Sequence, residues 1–192
     1  MPIALATGAS GVVFALEPNP YAFKVLLANA SLNRKKMNIF PLMFAATPED
    51  GEFEFGYNDS GFCNGGLHEG VNAWQHSHFF TLRVAGRNLM RYLRAEFPDE
   101  LGRVRYVKID TEGSDRTVAG TLKELLVKNR PYIKSEIWKH MPAEQRRDYY
   151  RDLRALGYRI HKVNSDEDYV GVHVDLEDMA KWEHFDLFAV PE

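Results

Sequence analysis

The chain has 192 residues but a single cysteine, Cys63. One cysteine excludes an internal disulfide framework and suits a reducing compartment, so a cytoplasmic protein is the expectation. No apolar run approaches the roughly 20 residues that a helix needs to span a bilayer. The opening Met-Pro-Ile-Ala-Leu-Ala-Thr is apolar but lacks a basic leading segment, which argues against a signal peptide. An excess of one charge is also missing: 24 Lys and Arg stand against 27 Asp and Glu. That balance gives no basic footprint for nucleic acid, and Arg34-Lys35-Lys36 is too short to act as one. Repeats, low-complexity tracts and Pro- or Gly-rich linkers are absent as well. The sequence has no Gly-x-Gly-x-x-Gly, which argues against a nicotinamide-dependent dehydrogenase.

Ample core-forming material is present, with 45% apolar residues, 12 Phe, 9 Tyr and 3 Trp. The size and composition fit one globular domain spanning residues 1–192. Strand-like and helix-like segments alternate. Val12 to Leu16 reads as a buried strand closed by Glu17-Pro18-Asn19-Pro20, where proline stops the strand and opens a helix. Phe23, Leu26, Leu27 and Ala30 then follow helical spacing. Asn38 to Ala45 reads as another strand, and Glu52 to Phe55 as a half-exposed edge strand after the Asp50-Gly51 turn. Gly56 to Ser77 has no period and reads as a long loop. Further strands are expected at Phe80 to Val84, Val104 to Ile109, Pro131 to Trp138, Tyr158 to Val163 and Phe185 to Val190. Helices are expected at Leu89 to Phe97, Ser114 to Asn129 and Ala143 to Leu156. The first strand follows the start of the chain with almost nothing before it.

Such alternation implies an α/β fold with a mostly parallel sheet covered on both faces. Ligands then bind outside the carboxyl ends of the strands, which singles out Glu17, Asn19, Ala45, Ala46, Asp110, Glu112, Glu136 and His140. Glu17 could accept hydrogen bonds from ribose hydroxyls or simply complement a helix N-terminus. Asp110 and Glu112 could orient a ligand or cap the following helix, with Gly113 permitting the close turn. Glu136 and His140 could join them in a polar cluster, which would serve as an acid/base pair or hold a hard divalent cation. His68, His76 and His78 lack the partners and spacing of a zinc site, and no residue is assigned to a metal. Cys63 has no base beside it in sequence.

The stretch Val-Phe-Ala-Leu-Glu-Pro-Asn-Pro-Tyr (13–21), with Asn29 and Leu32-Asn33, resembles FkbM-type S-adenosylmethionine-dependent methyltransferases. Val-Lys-Ile-Asp-Thr-Glu-Gly-Ser-Asp (107–115), with Val118, Gly120, Pro131 and Glu136, is similar to the same family, as is Phe-Asp-Leu-Phe-Ala-Val-Pro (185–191). The resemblance implies a Rossmann-like class I methyltransferase sandwich that moves a methyl group from S-adenosylmethionine, commonly to a hydroxyl of a small molecule or sugar. It implies that Glu17 holds the ribose hydroxyls, with Asn19 and Glu112 on the cofactor side and Ala45 and Ala46 near the adenine. It places Asp110 at the methyl-transfer crevice, and Asp110, Glu136 or His140 would supply the base. The segment Gly61 to Gly66 matches a variable, substrate-side part of the family.

The family's first central strand and its Asp-x-Gly-Ala-Asn-x-Gly loop have no counterpart before Val12, and Gly8-Ala-Ser-Gly11 is no substitute. The expectation is therefore an N-terminally truncated domain that binds its cofactor weakly and has exposed sheet edges able to pair in a homo-oligomer. The alternative is a non-catalytic interaction module built on the same fold.

Overall fold

The computed structural model describes residues 2–32, 38–57, 65–66 and 80–192. Cys63, His68, His76, His78, Arg34 to Lys36, Asn33 and most of the Gly56 to Ser77 loop lie outside the described residues. The chain divides into two compact units, 1–91 and 92–192.

In the first unit, helix α1 (Pro2–Thr7) precedes the first strand, where the sequence suggested almost nothing. The helix ends at Gly8, whose φ of +67° suits a residue without a side chain. Strand β1 (Val13–Leu16), helix α2 (Pro20–Ser31) and strand β2 (Ile39–Leu42) form a parallel β-α-β unit with Phe14 in register with Phe40. Within α2, Ala22 is buried while Leu27 is exposed, so the buried face is narrower than the apolar spacing implied. The expected Asn38 to Ala45 strand breaks in two, because β3 (Ala45–Ala46) leaves β2 and pairs with β6 (Phe80–Arg87).

Strand β4 (Gly51–Tyr57) runs antiparallel to β6 over seven residue pairs. Its alternation holds: Phe55 is buried with Ala45 and Val84, and Glu52 and Glu54 point to solvent. It is not an outer edge strand, however, since β5 (Gly65–Gly66) pairs beyond it. The ring of Phe53 lies against Gly86, where any Cβ would collide with it. Asn88 ties the ends of this sheet together, accepting the N–H of Arg91 at 3.0 Å and donating to the Pro48 carbonyl at 2.9 Å. It thereby starts helix α3 (Leu89–Glu96).

The second unit holds helix α4 (Pro98–Leu101), strand β7 (Tyr106–Ile109), helices α5 (Asp115–Thr121) and α6 (Lys123–Asn129), and strand β8 (Tyr132–Ile137). Helix α7 (Ala143–Ala155), strand β9 (Tyr158–Lys162), a 3₁₀ turn at Glu177–Ala180 and strand β10 (Phe185–Pro191) complete it. The helix expected over Ser114 to Asn129 breaks at Leu122. There Gly120 weakens the helix, and the Thr121 hydroxyl bonds back to the Val118 carbonyl at 2.7 Å.

The sheet order is β7-β8-β10-β9. Strands β7 and β8 are parallel, but β10 runs antiparallel to both β8 and β9. The mostly parallel sheet expected from the alternation is thus corrected to mixed sheets rich in antiparallel pairs. The physical reason is the connection: a parallel return needs a crossover, usually a helix, and only a loop with one 3₁₀ turn joins β9 to β10. The architecture remains α/β and consistent with a methyltransferase-like fold. Strand β8 is buried from Ile133 to Ile137, as expected for a strand covered on both faces. Ile133, Ile137, Tyr149, Leu153, Ile160 and Leu187 form the fully buried center of the unit.

One buried cation organises the loops at this end of the sheet. The Arg146 guanidinium, 5% exposed, donates to six backbone carbonyls. Those of Trp138, Lys139 and Met141 follow β8, and those of Met179, Trp182 and Glu183 precede β10. Arg146→Leu leaves these carbonyls without their donor. It is expected to lower stability by about 3 kcal/mol or more, and Arg146→Lys, which keeps the charge but not the fork, by less. Urea unfolding midpoints check this, and a parental midpoint for Arg146→Leu would contradict it.

Candidate active site

The first candidate group lies at the carboxyl end of β1. Glu17 continues the β1–β2 pairing, its N–H donating to the Leu42 carbonyl at 3.0 Å. Its Oε1 accepts the N–H of Asn19 at 2.8 Å. Asn19 is buried and caps α2, its Oδ1 accepting the N–H of Tyr21 at 3.0 Å, with Pro20 in the first turn. The two side chains thus build one turn: Glu17 fixes Asn19, and Asn19 starts the helix. Burial raises the Glu17 pKa above the ordinary carboxylate range, opposed by the Asn19 N–H. Ala45 and Ala46 sit in β3, beside Gly86 and Arg87. Their methyl groups carry no chemistry, so only shape and backbone could serve a ligand there.

The second candidate group lies at the carboxyl ends of β7 and β8. Ile109 is in register with Ser135, so Asp110 and Glu136 leave adjacent parallel strands side by side. Glu112 is turned back toward them by a φ of +52°, followed by Gly113 at +111°. This left-handed pair is costly for a residue with a side chain and is held by its surroundings. At Gly113 any Cβ would lie 2.9 Å from the Trp138 ring, so glycine is required by both the turn and the contact. Carboxylate oxygens of Asp110, Glu112 and Glu136 all lie within 4.8 Å of one another.

The environments of the three differ. Asp110 is exposed and accepts a 2.8 Å ion pair from Lys108. Glu112 is half-buried; burial, then the charges of Asp110 and Asp115, push its pKa up, while His184 and the Trp138 indole pull it down. Glu136 is 8% exposed. Its pKa is pushed up to about 8, first by burial and then by the charges of Glu112, Asp110, Asp115 and Asp186. His184, just before β10, lies 3.5 Å from Glu136 Oε1. Glu136 Oε2 is buried and has no hydrogen-bond partner among the described residues. His140 is exposed and packs edge-on against the Trp138 ring, the ring centroids 4.7 Å apart.

Beneath the cluster sits Asp115, fully buried. Its Oδ1 accepts from Ser135 Oγ at 2.9 Å and the Glu136 N–H at 3.1 Å, and its Oδ2 from the hydroxyl and N–H of Thr111. The Tyr149 hydroxyl donates in turn to Ser135 Oγ at 2.9 Å. Sequence reasoning missed both His184 and Asp115. Asp115 carried a visible signal, as an acid in the first turn of a helix whose motif already held two others. His184 carried none, because only the insertion of β10 beside β8 brings it to Glu136.

Two outcomes are expected from these groups. Asp115→Ala strips the loop after β7 and the end of β8 of their common acceptor and is expected to cost about 3 kcal/mol, read as a lowered thermal midpoint. Glu17 has a folded-state pKa above its unfolded one. Its contribution therefore favours the fold at low pH and is lost as pH rises through the raised value. Glu17→Gln removes that loss, so the midpoint of the variant minus that of the parent should grow as pH rises above the ordinary glutamate value of about 4. A pH-independent difference would contradict the shift.

Searches of curated proteins and of solved structures returned no match. The model of the Methyltransferase FkbM domain matches residues 3–160, a span that includes Glu17, Asp110, Glu112, Glu136 and the whole Asp115 network. The chain belongs to the FkbM methyltransferase family.

Proposed function

We propose that the chain transfers a methyl group from S-adenosylmethionine to a hydroxyl oxygen of a small molecule or sugar. The observation that carries this reading is the family match, which covers both groups of strand-end carboxylates. Glu17 suits the donor chemically: a carboxylate accepts only, and a ribose diol offers two O–H donors. Its desolvation strengthens such bonds. Asn19 supports the reading by holding Glu17 in place through its N–H. Ala45 and Ala46 carry only methyl groups, which suits the edge of a site for a flat ring. When bound, S-adenosylmethionine supplies an electrophilic methyl on a sulfonium.

Transfer of that methyl to a hydroxyl would require a base of this chain to take the hydroxyl proton. Glu136 suits this proton best, because burial and neighbouring carboxylates make it more basic than an ordinary glutamate. Asp110 lies beside it to orient the hydroxyl. His184 shares Oε1 of Glu136 and can relay the proton outward, whereas exposed His140 is the weaker candidate. With one cysteine in the whole chain, a reducing, cytoplasmic setting fits. Among the described residues no helix is long and apolar enough to cross a membrane.

A second reading, an interaction module, draws on the edges: among the described residues β7 pairs only with β8, and β1 only with β2. Calorimetry separates the two. Methyl transfer requires saturable S-adenosylmethionine binding that Glu17→Ala weakens at least tenfold, about 1.4 kcal/mol. It also requires loss of labelled-methyl transfer to polyol acceptors in Glu136→Gln, by roughly 100-fold or more. A folded chain that dimerises and ignores the donor would establish the second reading instead.

A further inference from the structure

Cancelling the charge of the β7–β8 cluster takes more than the protein supplies. Three carboxylates converge within 4.8 Å; among the described residues, Lys108 pairs with Asp110 and the His184 imidazole lies against Glu136 Oε1. Asp115 and Asp186 add further negative charge near Glu136. Acidic clusters are common on surfaces, but this one includes a group that is not at the surface. Glu136 is more than nine-tenths buried, and its Oε2 is left without any donor. A buried acceptor without a donor costs about 1–3 kcal/mol, and more when charged. The neighbouring Asp115 shows that this fold can satisfy a buried carboxylate fully, with four donors from three residues. Glu136 lies within 4.8 Å of the other two carboxylates instead, which offer no donors while ionised.

From this geometry we infer that Asp110, Glu112 and Glu136 form a binding site for a hard divalent cation of the Mg²⁺, Mn²⁺ or Ca²⁺ class. The donor set is all oxygen, without thiolate or thioether, which selects these ions over soft metals. The spacing suits them. Opposite oxygens around an octahedral Mg²⁺ are about 4.2 Å apart, and around Ca²⁺ about 4.8 Å. Three protein oxygens leave open positions for water or for a hydroxyl oxygen of a ligand. Lys108 competes with the cation for Asp110, so it tunes the affinity rather than forming part of the site.

The inference goes beyond the methyl-transfer reading and stands without it, since cation binding is measured with no methyl donor present. The probe is MnCl2 added to the full chain after chelator treatment, read by the loss of the free-ion paramagnetic resonance signal. One saturable Mn²⁺ per chain is expected, displaced by Mg²⁺ or Ca²⁺. Glu136→Gln and the exposed Asp110→Asn should each weaken it at least tenfold, while Lys108→Gln strengthens it several-fold. Thermal unfolding supplies a second reading. Mn²⁺ should raise the midpoint of the parent but not of Glu136→Gln, which without metal should itself be at least as stable as the parent. Absence of saturable binding, or binding unchanged in folded Asp110→Asn, overturns the site. Loss of donor binding with Mn²⁺ binding intact would count against the methyl-transfer reading alone.

Discussion

A carboxylate taken out of water must be met by donors, and Asp115 shows what meeting it fully requires. Four hydrogen bonds reach its two oxygens, from the loop after β7 and from the end of β8. Each donor belongs to a segment that must be in place for the bond to form. The loop cannot shift without stranding Thr111, nor the strand without stranding Ser135 and the Glu136 N–H. Because Ser135 Oγ also accepts from Tyr149 on α7, the constraint extends to the helix that covers the sheet. The positions of Asp110, Glu112 and Glu136 are consequences of that arrangement. Arg146 does the complementary work with opposite charge, fixing by carbonyl acceptors the backbone after β8 and before β10. One buried anion and one buried cation therefore set both sides of the segment that carries Glu136.

In the first unit the same economy appears on a smaller scale. The turn after β1 uses the Glu17 carboxylate to hold the Asn19 N–H, and the Asn19 side chain to start α2. A carboxylate that shapes its own turn needs no other group to aim it. Local sequence alone presents it at the strand end.

This explains what the sequence made legible. Glu17 and Asp110 were identifiable because each directly follows a short apolar strand, and Glu136 because it lies near the carboxyl end of one; the rule that ligands gather at strand ends needs only strand positions. The boundaries of α7 were equally readable, from Pro142 to the turn at Gly157. What escaped was non-local. The direction of β10 depends on the absence of a crossover helix over Val163 to His184, a stretch whose pattern names no partner. His184, whose imidazole lies against Glu136, therefore could not be picked out from sequence. Helix α1 was missed because a six-residue apolar segment has too few turns to show a period, and the break at Leu122 because Gly120 and Thr121 each weaken a helix only slightly. The family resemblance supplied order along the chain, not pairing between neighbours.

The contrast between Asp115 and Glu136 bears on why the cluster has its form. Both are buried and adjoin through the Glu136 N–H on Asp115, yet one is saturated with donors and the other has an oxygen with none. If stability were the only demand, Glu136 would be better as a glutamine or an apolar residue, since a carboxyl buried among other carboxylates works against the fold whenever it ionises. The left-handed Glu112 adds a further cost at the same place, and Gly113 gives up side-chain packing so that Trp138 can close over the turn. Such costs concentrated at one strand-end site are the usual mark of a group held ready for a ligand. Both chemistries proposed for the cluster, accepting a hydroxyl proton and binding a cation, relieve the same strain, because each brings positive charge to the oxygen that the protein leaves unsatisfied. They also act on a hydroxyl in the same sense: a base removes its proton, and a cation makes that proton easier to remove. The uncompensated carboxylate is thus the common physical root of both.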